Sequence, residues 1–421
     1  MKKWVRKAVC LAITMVIAGS LTACRTGQES SVADKKSDKD TVRVGIVIPQ
    51  SGELAAFGYG TEEMTRYAIE QINEKGGIEI DGTNKKLSLV VADSQSKEEQ
   101  AGAAAKNLIE NENVDIMLTS HTAQTTVPVA ETCEKEGIMC LSVDTPDEAW
   151  AVHDYNYCYH AGFSTENELL CFKDAWDLAG ISGGKIGLLH ADDLEGQTMA
   201  EAMTEFAQKN GYQVYDPGAY EAGSNDYKEL IRKLEAENCD GLAGVMISHD
   251  LRIFYSQMKK SEYLPKVCTI AKAALFEEDV NAIGMDGVAD GLCSEVWWTV
   301  EHPYYSSISG QNCKEIGMAW IELTKDDYAP ELAGYDYANV EILYQVLKSA
   351  GSLDIRKLCA AADALDVDTI IGNISFNERH YSEQKLITGQ WDYRFGTWTQ
   401  NIIANTQVPD CPVTETIKIL Q

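Results

Sequence analysis

The residues that could do chemistry in this 421-residue chain are a serine framed by glycines, a glycine-rich turn, two carboxylate pairs, seven histidines and twelve cysteines. Gly180-Ile181-Ser182-Gly183-Gly184 has the G-x-S-x-G spacing that raises a nucleophilic serine on a sharp strand-to-helix turn. The residues around it read helix, turn, strand, the reverse of that order, so the glycines read as a helix stop ahead of Ile186. Gly58-Tyr59-Gly60-Thr61-Glu62-Glu63 starts like a dinucleotide-binding turn, in which glycines let backbone approach a pyrophosphate. Its third glycine position is Glu63, and the loop from Pro49 is too long for a tight turn. Asp192-Asp193 and Asp326-Asp327 could do acid–base work or hold a cation, but at helix entries such pairs read as caps and dipole partners. The histidines (121, 153, 160, 190, 249, 302 and 380) form no H-E-x-x-H and no i, i+4 pair, and the cysteines no C-x-x-C. No catalytic centre, metal or cofactor is expected.

What must position any functional group is a run of alternating strands and helices. Val42–Ile48 is a β-branched run, short enough for a strand buried on both faces, and Pro49, Ser51 and Gly52 stop it. After a small-residue loop from Leu54 to Gly60, Met64, Tyr67, Ala68 and Ile72 repeat at the spacing of one helical face. Strands are expected at 87–92, 114–118 and 138–143, with helices at 97–111 and up to Glu136. This alternation predicts a parallel, doubly wound sheet with ligands at the carboxyl ends of its strands. It then restarts, with helices expected at 166–179, 194–210, 227–237 and 252–261 and strands at 185–190, 212–215, 241–247 and 267–271. From Trp297, helices near 313–324, 334–349 and 355–364 and strand-like pieces at 369–376, 385–391 and 397–404 exceed the needs of a second sheet. They predict a chain that crosses back to the first lobe and returns.

Ahead of this core, Lys2, Lys3, Arg6 and Lys7 precede the apolar run Ala8–Ala18, too short for a bilayer, and then Leu21-Thr22-Ala23-Cys24. The pattern resembles the lipobox of bacterial lipoproteins. That resemblance implies a signal peptide at 1–23 and a lipid on Cys24, which becomes the mature N-terminus. Arg25–Asp40 is polar and nearly free of bulky apolar residues, so 24–40 reads as a flexible tether. The remaining length and a 45% hydrophobic content predict two domains. A net charge of −29 excludes nucleic acid as a natural partner and reads as a solvated acidic surface. Cys140, Cys268 and Cys293 fall in expected strands as small apolar groups; export permits one or two disulfides, whose pairing stays open.

Taken together, the loops carry a family pattern. Pro49-Gln50-Ser51-Gly52 with Ala55, Phe57 and Gly58, Ile72-Asn73-Glu74-Lys75-Gly76-Gly77-Ile78, Val90–Ser94, Val127-Pro128-Val129-Ala130-Glu131 and Gly137–Ser142 follow one another at characteristic spacing. They resemble the extracytoplasmic solute-binding proteins of branched-chain-amino-acid-type ABC transporters, over about Val42 to Ala404, with Ile387-Thr388-Gly389-Gln390-Trp391 as a late element. The resemblance implies an α/β type I periplasmic-binding-protein fold, two doubly wound parallel-sheet lobes joined by a three-crossover hinge. Crossings are expected near Gly162, Val296 and Asn377, giving lobe 1 as 41–162 plus 297–377 and lobe 2 as 163–296 plus 378–421. It also implies a small-molecule ligand, an amino acid or related carboxylate, as partner. Delivery would be to the permease and ATPase subunits of an ABC importer at the outer face of the cell membrane, reached through the lipid anchor. A ligand-sensing receptor component is the alternative.

By the same resemblance, hydroxyls and backbone N–H groups of lobe 1 hold a ligand carboxylate. The matching loops offer Thr122, Ala123, Gln124 and Thr125, and Thr145; Phe57 matches an aromatic that packs on the ligand's apolar part. In lobe 2 the sequence departs from the pattern. Where amino-acid binders carry an acidic partner for the ammonium, it reads Ala271-Lys272-Ala273, and a tyrosine position falls in Met246-Ile247-Ser248. Glu195 or Asp193 is then the candidate carboxylate, and Lys272 the candidate partner of a carboxylate on a non-amino acid. Trp297 and Trp298, at the expected second crossing, either stack on a planar ligand such as an aromatic acid or pack the hinge.

Overall fold

The computed structural model describes residues 40–284 and 287–420, apart from the side chains of residues 194 and 195. Cys24, the leader expected at 1–23 and nearly all of the tether lie outside the described residues. The chain runs through β1 (Thr41–Ile48), α1 (Thr61–Glu74), β2 (Ile78–Ile80), β3 (Thr83–Asp93), α2 (Glu98–Glu110), β4 (Ile116–Ser120), α3 (Ala123–Glu136), β5 (Cys140–Pro146), α4 (Asp147–Ala151) and β6 (Cys158–Phe163). β1 is an interior strand: Val42, Val44, Ile46 and Ile48 bury against one layer and Val47 against the other. It pairs in parallel with β3 on one side and β4 on the other. α1 buries Met64, Ala68, Ile69 and Ile72, the face that its periodicity marks.

A second alternation follows: α5 (Thr165–Leu178), β7 (Lys185–Leu189), α6 (Leu194–Lys209), β8 (Gln213–Tyr215), α7 (Lys228–Ala236), β9 (Gly241–Met246), α8 (Ser248–Met258), β10 (Val267–Lys272), α9 (Glu277–Ile283) and β11 (Cys293–Val296). Then come α10 (Cys313–Thr324), α11 (Glu331–Ala350), α12 (Ile355–Asp363), β12 (Val367–Thr369), β13 (Gly372–Ile374), β14 (Tyr381–Glu383), β15 (Ile387–Arg394) and β16 (Thr397–Ala404). Two seven-stranded sheets result, ordered β14-β6-β5-β4-β1-β3-β2 and β16-β15-β11-β10-β9-β7-β8. The chain passes between them after β6, after β11 and after β14.

Two of these passages bear on the expectations. β6 is a full strand parallel to β5, in a stretch with no expected strand. Its Cys-Tyr-His-Ala-Gly-Phe composition hides it, because a histidine and a glycine interrupt the apolar run. The return expected near Asn377 lies between Glu383 and Ile387, since β14 still pairs with β6. α11 is buried almost all round, including Glu331, Asp336, Asn339 and Glu341, and packs on α1 and β5. It is therefore a core helix of the first sheet's layers, which is how the crossing-back segment finds its place.

Candidate ligand-binding site

The loop after β1 is braced from β3. Asp93 accepts the N–H groups of Gln50 (3.0 Å) and Ser51 (3.2 Å). The Ser96 hydroxyl donates to the Ser51 carbonyl (2.6 Å) and accepts the Leu54 N–H (3.0 Å). Gly58 closes the loop on itself: a Cβ there would lie 2.2 Å from the Pro49 carbonyl oxygen, so only glycine fits. Phe57, half-buried at the tip, meets Phe276 edge to face, with ring centroids 5.0 Å apart at 83°. That geometry is worth about 0.5–1.5 kcal/mol beyond area burial.

The neighbouring strands β4 and β5 end in loops that hold unusual backbone. His121, Thr122 and Asp144 have φ of +67°, +61° and +58°. For a β-branched residue such as Thr122 that is a conformation the surroundings must impose. Thr122 caps α3, and the first intrahelical bonds run from the Thr125 and Thr126 N–H groups to its carbonyl (3.3 and 3.0 Å). The N–H groups of Ala123 and Gln124 precede those bonds and carry the positive end of the helix dipole, a ready anion site. The Gln124 side chain turns away and donates to the Ser96 carbonyl (3.1 Å). Thr145, buried at the end of β5, has its carbonyl 2.8 Å from Nε2 of His160. Because β5, β4 and β1 are neighbours in the sheet, Thr145, Thr122, Ala123, Gln124 and Phe57 share one edge.

Three residues of this region escaped the sequence reading. His121 is fully buried, with Nδ1 2.7 Å from Asp144 and Nε2 3.2 Å from Asp336. Burial alone would lower its pKa, but the two carboxylates outweigh it and raise it to about 10. The available signal was a polar residue at the carboxyl end of each of two adjacent expected strands; the third partner, Asp336, sits more than two hundred residues away on α11.

Asp147, at the start of α4, is buried with neither carboxylate oxygen hydrogen-bonded among the described residues. Burial, with Glu383 and Glu148 adding, pushes its carboxyl up to about 8. An acid raised in the folded state holds a proton that the unfolded chain has released. Its contribution is therefore complete below about pH 4 and is lost as pH rises through about 8. Asp147→Asn is expected to flatten the fall in melting temperature of the protein between pH 5 and pH 8. An identical fall in wild type and variant would contradict this.

The second sheet offers a shallow depression of about 30 Å³ at the carboxyl ends of β7, β9 and β10. Asp193, Met246, Ile247, Asp250, Tyr220 and Lys272 line it. Lys272 ends β10 with φ +69° and Ile247 is exposed at the N-terminus of α8. Asp193 spends one oxygen capping α6 through the Gly196 N–H (2.7 Å). Asp250 is buried and accepts the Gly223 N–H (2.9 Å). Glu195 falls in the first turn of α6 with its side chain outside the described residues. The loops of the two sheets meet: Leu275 and Phe276, just beyond β10, are buried in the first sheet's core cluster, and the Glu277 N–H donates to the Tyr328 hydroxyl (3.1 Å).

The structure also places the remaining candidates. Trp298 is 1% exposed, packs on Gly334 of α11 and donates its indole N–H to the Ile370 carbonyl (3.0 Å). Its ring fills core rather than facing the depression, because the helix that crosses back has a glycine where the indole needs room. Trp297 packs against Phe163 with the rings tilted by 34° and centroids 4.8 Å apart. Ser182 lies on the turn between α5 and β7 and donates to Asp177 (3.0 Å), a helix-end contact. The ten described cysteines are unpaired, all but Cys359 buried, so the structure holds none of the disulfides that export would permit. Among the described residues no cluster of three or more His, Cys, Asp or Glu side chains could hold a metal ion, and no helix is long and apolar enough to cross a membrane.

A family model described as periplasmic binding protein matches residues 41–396. The leucine-specific-binding protein of Salmonella typhimurium is 23% identical over 343 residues, which are 81% of this chain and 88% of that protein. Among solved structures, the leucine-, isoleucine-, valine-, threonine- and alanine-binding protein of Brucella ovis, in a closed conformation, superposes with a TM-score of 0.75 at 15% identity, covering 90% of this chain and 98% of that one. A solute-binding protein of an ABC transporter from Rhodopseudomonas palustris, in complex with 3,4-dihydroxybenzoic acid, gives 0.67 at 17% identity, with 87% and 97% covered. Likeness at such identities speaks to the fold, and the two parallel-dominated sheets match it. The chain belongs to the periplasmic binding protein family, in its leucine-binding-protein-like branch, a family of transporter substrate-binding proteins rather than enzymes.

Proposed function

We propose that the protein is a lipid-anchored substrate-binding protein that captures a small organic carboxylate, an amino acid or a relative of one, and delivers it to the permease of an ABC importer. Cys24 is the acylated residue, and the two lobes close on the ligand about the three passages. The observation that carries the reading is the α3 N-terminus: Thr122 with the open N–H groups of Ala123 and Gln124, beside Thr145, forms an anion cradle at the carboxyl end of the first sheet. Phe57 then covers the apolar part of the ligand. The relatives' names, with leucine, isoleucine and valine among their ligands, support the amino-acid class.

A second reading has an observation of its own. Lys272 lines the depression on the second sheet, where a zwitterion's ammonium would want a carboxylate. A non-amino acid with a second anionic group fits a lysine there, and a structural neighbour holds an aromatic acid. A thermal-shift screen of amino acids, aromatic acids, amides and dicarboxylates separates the two, since a ligand at about a hundred times its Kd adds about 2.7 kcal/mol of stability. Calorimetry on Lys272→Ala follows. Tight binding of leucine or valine, undiminished in the variant, would discard the second reading; failure of every carboxylate to shift the melt would discard both.

A further inference from the structure

We infer that His121 is the positioning residue of the carboxylate cradle: clamped between Asp144 and Asp336, it holds the loops after β1, β4 and β5 in the one arrangement that presents Thr122, Ala123 and Thr145 together. The inference rests on the proposed carboxylate site and goes beyond it, because His121 need not touch the ligand.

The geometry is that of a single knot. The His121 main-chain N–H donates to Asp144 (2.6 Å) at the end of β5, while Nδ1 lies 2.7 Å from the other oxygen of the same carboxylate. Nε2 lies 2.8 Å from the hydroxyl of Thr61, the first residue of α1, and 3.2 Å from Asp336 on α11. The His121 carbonyl accepts the Thr125 hydroxyl (2.7 Å), which ties the first turn of α3 to the same residue. His121, Asp144 and Asp336 are all buried, so the charges have only each other. A buried cation between two carboxylates is costly to break from one side, because the partners left behind stay unpaired.

The strain lies in the same place. His121, Thr122 and Asp144 all occupy left-handed backbone, and residues other than glycine stay there only where contacts over-determine them. A second histidine works on the far side of Asp144. His160 on β6 has Nδ1 2.6 Å from the Ser142 hydroxyl and Nε2 2.8 Å from the Thr145 carbonyl. Burial holds it down to about 4, so it is the neutral brace and His121 the charged one. Beside His160, the Asp147 carboxyl lies 3.8 Å from Nε2 and is raised to about 8, so it titrates near neutrality. Burial raises the Tyr335 hydroxyl well above its ordinary value, and Thr61 and Asn339, whose amide donates to the Thr119 carbonyl, carry no charge. Asp336 is raised by burial and lowered by His121, the behaviour of a partner rather than of an independent switch.

The test uses the full chain, with L-leucine, L-isoleucine and 3,4-dihydroxybenzoate as probes and calorimetric affinity as one readout. His121→Gln is expected to weaken the best probe about tenfold or more, the scale on which losing an orienting partner weakens a site. The ratio of wild-type to variant affinity should shrink as pH climbs towards about 10, because wild type then loses the charge that the variant already lacks. Taking the ratio cancels titration of the probe and of Asp147, which both proteins share. Hydrogen exchange supplies a readout that needs no ligand: amides of 120–126 and 143–145 should exchange faster in the variant, with those of β9 and β10 unchanged. Asp144→Asn carries the same comparisons if His121→Gln does not fold. Unchanged affinity with unchanged loop exchange overturns the inference, as does a uniform rise in exchange across both sheets. Ala123→Asp separates this failure from that of the underlying reading. If that variant still binds the probe, the carboxylate site itself is wrong; if it does not and His121→Gln does, only the positioning role falls.

Discussion

Replacing Ala123 by Asp is expected to weaken binding of a carboxylate ligand by about 100-fold or more while leaving the fold at least as stable as before. Ala123 is the first residue of α3, half-buried, and its N–H is one of the two that the proposed cradle would offer an anion. A carboxylate there would face the ligand's own at hydrogen-bonding range. Two like charges about 4 Å apart repel by about 4 kcal/mol at the effective dielectric of a protein surface. Partial solvation reduces that, and a loss of about 100-fold or more in affinity is expected. Stability moves the other way. α3 has no acidic residue in its first turn, and an aspartate near a helix N-terminus contributes about 0.3–1 kcal/mol. Calorimetry and thermal melts of the two proteins check both halves. Retained affinity would move the ligand carboxylate away from α3, and a lowered melting point would mean that the half-buried methyl packs more tightly than its exposure indicates.

Trp298→Ala is expected to do the opposite: a loss of about 3–5 kcal/mol of stability, with the affinity of the remaining folded protein unchanged. The indole is fully buried, and Gly334 approaches so closely that a Cβ there would lie 2.4 Å from the ring. Its removal leaves a cavity between β11 and α11 that a helix buried on nearly all sides cannot collapse into. The Ile370 carbonyl also loses the indole N–H and keeps only the weaker Cys313 thiol donor at 3.6 Å. Urea denaturation measures the first part and titration of the folded variant the second. A variant of near-native stability that binds weakly would return Trp298 to the ligand.

Much of the scaffold was legible because its signals are local. The β-branched run at 42–48, the apolar spacing of α1 and the strand–loop–helix rhythm report on neighbours within a few residues. Some short pieces were not. β6, β12 and β14 draw their stability from a partner strand rather than from any periodicity, and β6 carries a histidine whose polarity is masked by burial. Of the candidate site, Thr122, Ala123, Gln124, Thr145 and Phe57 fall on neighbouring strand ends, while Lys272 and Ile247 fall together in the second sheet's depression.

The serine of Gly180–Gly184 shows how order along the chain decides chemistry. Helix before strand makes Ser182 a helix-end group, and its hydroxyl bonds to Asp177 of the preceding helix. That exclusion was available before any coordinates, since it depended only on which element comes first.

From the sequence alone came the two α/β sheets, the loops at their carboxyl ends and the helix–turn–strand order around Ser182, all properties of residues close in the chain. Tertiary structure alone decided that Trp298 packs under Gly334, that Phe57 meets Phe276 and that His121 is a charged residue between Asp144 and Asp336. The reason is electrostatic as much as topological. Whether a buried histidine is neutral, as His160 is, or charged, as His121 is, depends on carboxylates brought to it from β5 and α11, and nothing in its own neighbourhood announces them.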